Sequence, residues 1–241
     1  MLAFIEDQTQ ENTSLRDINI GFAVIWFVVF LFSLSFHEAA HAWTSEKFGD
    51  DTGRLQGRIT LNPLPHIDPI GTIVFPLIML FTTVPLLGWA KPVETNPLLW
   101  REKTKANICV SAAGPISNFI LVTIAFIALR VMLASGIVQP GRSLQSLVIP
   151  VAGQPAFMEP LCMLLGIMLW LNLALAIFNL IPIPPLDGSH VLESVLPHNM
   201  AEAYAQIRPY GFLLLIALIY LNILNYIFDP VLRFVIEALF I

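Results

Sequence analysis

Charge is scarce in this sequence. Its 241 residues include only 12 Lys and Arg and 17 Asp and Glu, so 12% are charged, where an ordinary soluble domain carries about 25%. A soluble globule of this size cannot hide an apolar share of 56% with a mean hydropathy of +0.76. Disorder and an ordinary cytosolic fold are both excluded. Long basic runs are lacking and the net charge is −5, so no nucleic-acid partner is expected. There are only two cysteines, Cys109 and Cys162, both in or beside apolar runs. That argues against a disulfide framework and for buried thiols. Internal repeats and low-complexity tracts are absent too. Residues 1–17 have neither the basic start nor the apolar core of a signal peptide and read as a polar N-terminal tail.

What the sequence does have is long apolar stretches. Residues 18–36 carry no charge, and their helical pattern continues to about Ser45. Residues 107–134, 160–181 and 210–228 are long enough to span, the first of these interrupted only by Arg130. A fifth stretch, 70–88, is apolar but contains Pro76 and Pro85, so it either spans or forms a re-entrant hairpin. The predicted fold is an all-α membrane protein, a polytopic helical bundle of about four spanning helices plus this re-entrant or additional segment. Its expected organisation is a tail at 1–17, a membrane-embedded core at 18–228 and an interfacial C-terminal helix at 229–241.

Basic residues set the expected orientation. Lys47, Arg54, Arg58, Lys91, Arg101, Lys103 and Lys105 all lie between residues 42 and 105, whereas the N-terminal tail holds only Arg16 and the loop 135–159 only Arg142. The positive-inside rule then places 42–69 and 89–105 in the cytoplasm and the N-terminus outside. Both flanks of 70–88 fall on one side, which favours the hairpin.

At the inner end of the first span stands His37-Glu38-Ala39-Ala40-His41. On a helix, residues i and i+4 share a face, so both imidazoles can reach one Zn²⁺, while Glu38 lies one residue round and can act as a general base without ligating. The bland alternative is a satisfied histidine pair or another kind of metal ligand pair. Depth argues against it: at 1.5 Å per residue His37 lies about 28 Å along the helix from Ile18, near the inner edge of the hydrocarbon core. Ionisable groups there are costly and mark function unless they are paired.

A catalytic zinc takes a third protein ligand and keeps one position open. The candidate is Asp187, which follows Pro182, Pro184 and Pro185 at the end of an apolar span and precedes Gly188. The prolines stop the helix where irregular backbone can line a polar cavity. If 107–134 runs outward and 160–181 inward, Asp187 ends on the side of His37 and His41. Standing alone, Asp187 would read equally well as part of an Asp–Gly turn.

Taken together, these residues resemble the site-2 protease family of intramembrane zinc metalloproteases. The resemblance runs from about Ser33 to Leu192. It is carried by HEAAH at 37–41, NPLPHIDPIG at 62–71, GWAKP at 88–92, AGPISN at 113–118 and the segment from Asn179 to Asp187-Gly188. It implies one catalytic zinc ion held by His37, His41 and Asp187, with Glu38 as general base and Asn179 orienting substrate or steadying the oxyanion. The implied partners are a transmembrane protein substrate and the lipid bilayer, in a bacterial cytoplasmic membrane with the active site near the cytoplasmic side. No apolar run precedes the zinc helix, where some members carry a further span, and no loop could hold a PDZ or CBS module. The chain reads as a bare catalytic core, with 52–69 and 70–88 as candidates for gripping an extended substrate by strand addition.

The remaining polar residues read more plainly. His66 reads as a surface or turn histidine, His190 as a boundary residue and His198 as an exposed one. Asn118 fits helix packing and a substrate role equally. Trp89 and Trp100 fit an interfacial belt. Two rival functions remain: a zinc- or proton-handling transporter, whose expected half-chain repeats are missing, and an inactive scaffold, which the intact His37, Glu38, His41 and Asp187 set disfavours.

Overall fold

The computed structural model describes residues 20–81 and 88–241, without the side chains of 79–81. The expected tail at 1–17 and residues 82–87 of the fifth apolar stretch lie outside the described residues. In chain order the helices are α1 (Ile20–Lys47), α2 (Thr52–Leu55), α3 (Phe75–Phe81), α4 (Lys103–Ala134), α5 (Met158–Leu180), α6 (Asp187–Val195), α7 (His198–Ala205), α8 (Gly211–Tyr220) and α9 (Ile223–Phe240). A small antiparallel hairpin pairs β1 (Val138–Pro140) with β2 (Val148–Pro150). Four helical stretches are long and apolar enough to cross a membrane: Ile20–Lys47, Lys103–Ala134, Met158–Leu180 and the run His198–Tyr220. The protein is therefore a polytopic helical membrane protein, as its composition requires.

The fourth stretch differs from expectation. The apolar run 210–228 is broken at Leu221–Asn222, where Asn222 takes a left-handed backbone conformation with φ of 56°. Asn tolerates that region better than most residues. The chain then continues as one helix from Ile223 to Phe240, so the boundary placed at 228/229 is not an element boundary. Asp229, Arg233 and Glu237 fall four residues apart along α9 and share one face.

The described chain forms two compact units. The first comprises 20–33, Phe119–Ala174 and Leu224–Ile241. Its core gathers Ala125, Leu129 and Met132 of α4, Val138, Leu147 and Val148 of the β-hairpin region, Met158, Cys162 and Leu169 of α5, and Leu239 of α9. Cys162 is buried and Cys109 half-buried, and both are free thiols. Arg130, the lone charge within its span, donates from Nη1 to the Leu239 carbonyl at 2.9 Å. It thereby satisfies a helix-end acceptor with a cation, the favourable sign for a C-terminus.

The second unit comprises Leu34–Asn118 and Leu175–Ile223, apart from the undescribed 82–87. Asp68 starts a helical segment by accepting from Ile70 N–H and Gly71 N–H at 3.0 and 2.7 Å, while its own N–H donates to Thr72 Oγ1 at 2.9 Å. A π-helical turn (Pro69–Val74) leads into α3. The returning chain is tied to this start: Trp89 N–H donates to the Gly71 carbonyl at 3.2 Å, and Thr72 Oγ1 donates to the Trp89 carbonyl at 2.8 Å. A single crossing would hold residues 71 and 89 about 30 Å apart. The two ties instead hold residues 71 and 89 side by side. Gly71 is required at this closure, because a Cβ there would lie 2.3 Å from the Trp89 ring.

Two aromatic and imidazole assignments change. Trp100 is not part of an interfacial belt: it is 6% exposed, packs with Ala106 and Val110, and donates from Nε1 to Ser45 Oγ at 2.7 Å. His66 is not at the surface but 2% exposed, with Nε2 at 3.1 Å from the Thr60 carbonyl. Both residues bury a ring with one nitrogen bonded internally, while His66 Nδ1 has no partner among the described residues; composition alone does not reveal such burial.

Candidate metal centre

The residues of the second unit converge on three ligand atoms. His37 and His41 project from one face of α1, and Asp187 opens α6 directly after the proline-broken segment 181–186. The two Nε2 atoms are 3.0 Å apart, and Asp187 Oδ2 lies 3.2 Å from His37 Nε2 and 3.4 Å from His41 Nε2. Zinc–ligand bonds of about 2.0–2.1 Å imply edges of about 3.3 Å between tetrahedral ligands. The trio has those edges without adjustment.

Hydrogen bonding fixes what the trio presents. His41 Nδ1 lies 2.6 Å from the Val110 carbonyl, which can only accept, so Nδ1 carries the proton and Nε2 a lone pair in the neutral ring. His37 Nδ1 donates to Asn118 Oδ1 at 2.6 Å, with the same consequence. Asp187 Oδ2 is buried and forms no hydrogen bond. Three electron-rich atoms therefore face one another in a poorly solvated place, an arrangement that only a cation makes favourable. A divalent ion satisfies all three at once.

Space is left for the ion by one residue of α4. A Cβ on Gly114 would lie 2.3 Å from His41 Nε2 and 2.4 Å from His37 Nε2, close to ligand-to-metal distance. Pro115 follows within the helix and cannot donate to a preceding carbonyl. Gly188 acts differently from the turn role its sequence position suggested. It lies inside α6 and its value is close approach: a Cβ there would meet the Leu180 carbonyl oxygen at 2.2 Å. Its absence lets α6 begin against the end of α5, which brings Asp187 to the histidines. Tyr204 OH supports the same loop by donating to the Pro182 carbonyl at 2.8 Å.

Glu38 stands beside the trio without joining it. Its Oε2 accepts from the Val93 N–H at 2.8 Å, which leaves Oε1 as the oxygen without a bond from Val93. Asn179 is one residue before the end of α5 and donates from Nδ2 to the Leu175 carbonyl at 2.9 Å. Among the described residues it makes no hydrogen bond to His37, His41 or Asp187. His190 is exposed, as is His198, which lies 3.2 Å from Glu202. Among the described residues the trio is the one cluster of His, Cys, Asp or Glu arranged to hold a metal.

Sequence reasoning missed the supporting partners. Val110 acts through a backbone carbonyl, which no residue type announces. Gly114 and Asn118 were visible as a motif, and the glycine in a long apolar helix was the available signal for close approach.

Residues 25–220 match peptidase family M50 over most of the chain. The chain belongs to this family. Among curated relatives it is 37% identical over 206 residues, 86% of this chain and 84% of the relative, to the protein named "Putative zinc metalloprotease YwhC" of Bacillus subtilis (strain 168). It is 28% identical over 86% of its length to "Putative zinc metalloprotease Rip2" of Mycolicibacterium smegmatis, and 26% identical over 93% to the protein of that name from Mycobacterium tuberculosis (strain ATCC 25618 / H37Rv), covering 70% and 76% of those chains. No solved structure matches the chain. The M50 match bears out the resemblance to site-2 proteases, and with the four apolar helices it makes this protein a multi-pass membrane metalloprotease.

Proposed function

We propose that this M50 protein is an intramembrane zinc endopeptidase that hydrolyses peptide bonds in transmembrane segments of other membrane proteins, the cutting step of regulated intramembrane proteolysis. The observation that carries the reading is the trio itself: three lone-pair atoms 3.0–3.4 Å apart, beside a carboxylate held at one oxygen. His37, His41 and Asp187 would hold a single zinc ion. When bound, it supplies Lewis-acid polarisation of the scissile carbonyl and acidifies water.

The chain's own groups do the rest. Val93 N–H fixes Glu38 Oε2 and orients Oε1 to take a proton from the attacking water. The hydroxyl joins the carbonyl carbon, the C–N bond breaks, and the proton passes from Glu38 to the leaving amine. Asn118 and Val110 keep the two imidazoles in one tautomer. Asn179, once released from Leu175, would orient substrate or the developing oxyanion. A helical substrate must be unwound first because its own hydrogen bonds shield the amide, and the segments 52–69 and 70–88 are the candidates for gripping it as an extended strand.

The lysine and arginine distribution supports a bacterial cytoplasmic membrane location with the N-terminus outside and the active site near the cytoplasmic face. The tie between Gly71 and Trp89 supports the same topology by keeping 42–69 and 89–105 at one level. The test incubates detergent-purified protein and Glu38→Gln with a tagged single-span substrate while bound zinc is measured. Cleavage by the natural protein alone, with zinc in both, is expected. Zinc in both without cleavage by either overturns the protease reading, and cleavage by both removes Glu38 from the mechanism.

A further inference from the structure

We infer that Arg58 is a positioning residue for Glu38, acting through the backbone of residues 91–93. The inference rests on the reading of Glu38 as general base. Arg58 is 4% exposed and forms no salt bridge among the described residues. Its guanidinium instead donates to three carbonyls: from Nη1 to Pro65, and from Nη2 to Lys91 and, at 2.7 Å, to Pro92. The next residue is Val93, whose N–H holds Glu38 Oε2 at 2.8 Å.

Burying an arginine without a carboxylate partner is expensive, so its placement calls for a reason. Pro65 and Pro92 have no N–H, so strand-like pairing through those two residues is impossible on the donor side. Carbonyl capture is the remaining way to fix the two segments, and a planar guanidinium can reach several carbonyls in one plane. Lys91 N–H adds one more tie, to the His66 carbonyl at 2.8 Å. Burial lowers the Arg58 pKa, and the charges of Glu38 and Glu94 oppose that.

Lysine cannot replace this arrangement, because a compact ammonium lacks the fork. Arg58→Lys and Val93→Pro, which removes the amide donor itself, should each lower kcat about 10- to 100-fold, the scale at which misplaced catalytic groups lose rate, with KM and bound zinc unchanged. Hydrogen–deuterium exchange supplies a readout that needs neither cleavage nor metal. In zinc-stripped Arg58→Lys the Val93 amide should exchange faster, approaching its rate in Glu38→Ala. Unchanged exchange at Val93 overturns the inference whether or not the enzyme cleaves. So does a kcat loss that only follows a parallel loss of zinc or thermal stability, which would mark a scaffold residue. If the natural protein fails to cleave while exchange at Val93 responds as stated, the protease reading falls and the link from Arg58 to Glu38 stands.

Discussion

His37 Nδ1 donates to Asn118 Oδ1 across 2.6 Å, joining a ring on α1 to an amide on α4. A side chain that fitted packing or substrate contact equally is engaged with a metal-ligand candidate. Asn118→Ala is expected to weaken zinc affinity about 10- to 100-fold, the usual cost of losing such a partner. Titration against a competing chelator measures it. Affinity within twofold of the natural protein would return Asn118 to a packing role.

Gly114→Ala tests the space for the ion. The added methyl would stand 2.3–2.4 Å from both Nε2 atoms, so bound zinc should fall to background. Helix content by circular dichroism should stay the same, since alanine is the better helix former. Full zinc occupancy in this variant would show that the metal is held elsewhere.

Asn179→Ala should leave zinc content unchanged, because Asn179 bonds to Leu175 rather than to the trio. Its effect is expected on cleavage alone, lowering kcat/KM about 10-fold or more on the scale of a lost oxyanion donor. Steady-state kinetics with metal analysis separates the two.

Asp50 gives a prediction about pH. It is fully buried, accepting from Ser45 Oγ at 2.8 Å, from Thr52 N–H and hydroxyl at 3.1 and 2.5 Å, and from Asn96 N–H at 2.7 Å. Burial pushes its pKa up, but the bonds from Thr52, Asn96 and Ser45 outweigh this and hold it below the ordinary value. The stabilisation is therefore fully present above the unfolded-state pKa of about 3.9 and is lost as pH falls through the lower folded value. Asp50→Asn should cost about 1–3 kcal/mol near neutral pH, a gap that closes in acid. Thermal unfolding in detergent across that range provides the check.

The parts legible in the sequence were those fixed by local geometry. His37 and His41 could be paired because helical spacing alone puts two imidazoles on one face, and Asp187 was the candidate to join them because three prolines end the helix before it. Partners chosen by tertiary packing stayed hidden. The Val110 carbonyl and Val93 amide have no chemical identity in a sequence, and Trp100 and His66 are amphipathic rings whose burial depends on what folds over them. The break at Asn222 was missed because a single left-handed residue can end an apolar run without proline or glycine.

The tie between Gly71 and Trp89 makes the segment between them modular. Its base is closed by hydrogen bonds at residues 71, 72 and 89, between the Pro65 carbonyl on one side and the Lys91 and Pro92 carbonyls on the other, all three held by Arg58. Changes of length or composition beyond that base need not disturb Glu38 or the three ligand atoms. If that segment grips substrate as proposed, such a chain could vary what it admits while its chemistry stays constant, and grafting the segment between relatives is the way to alter selectivity.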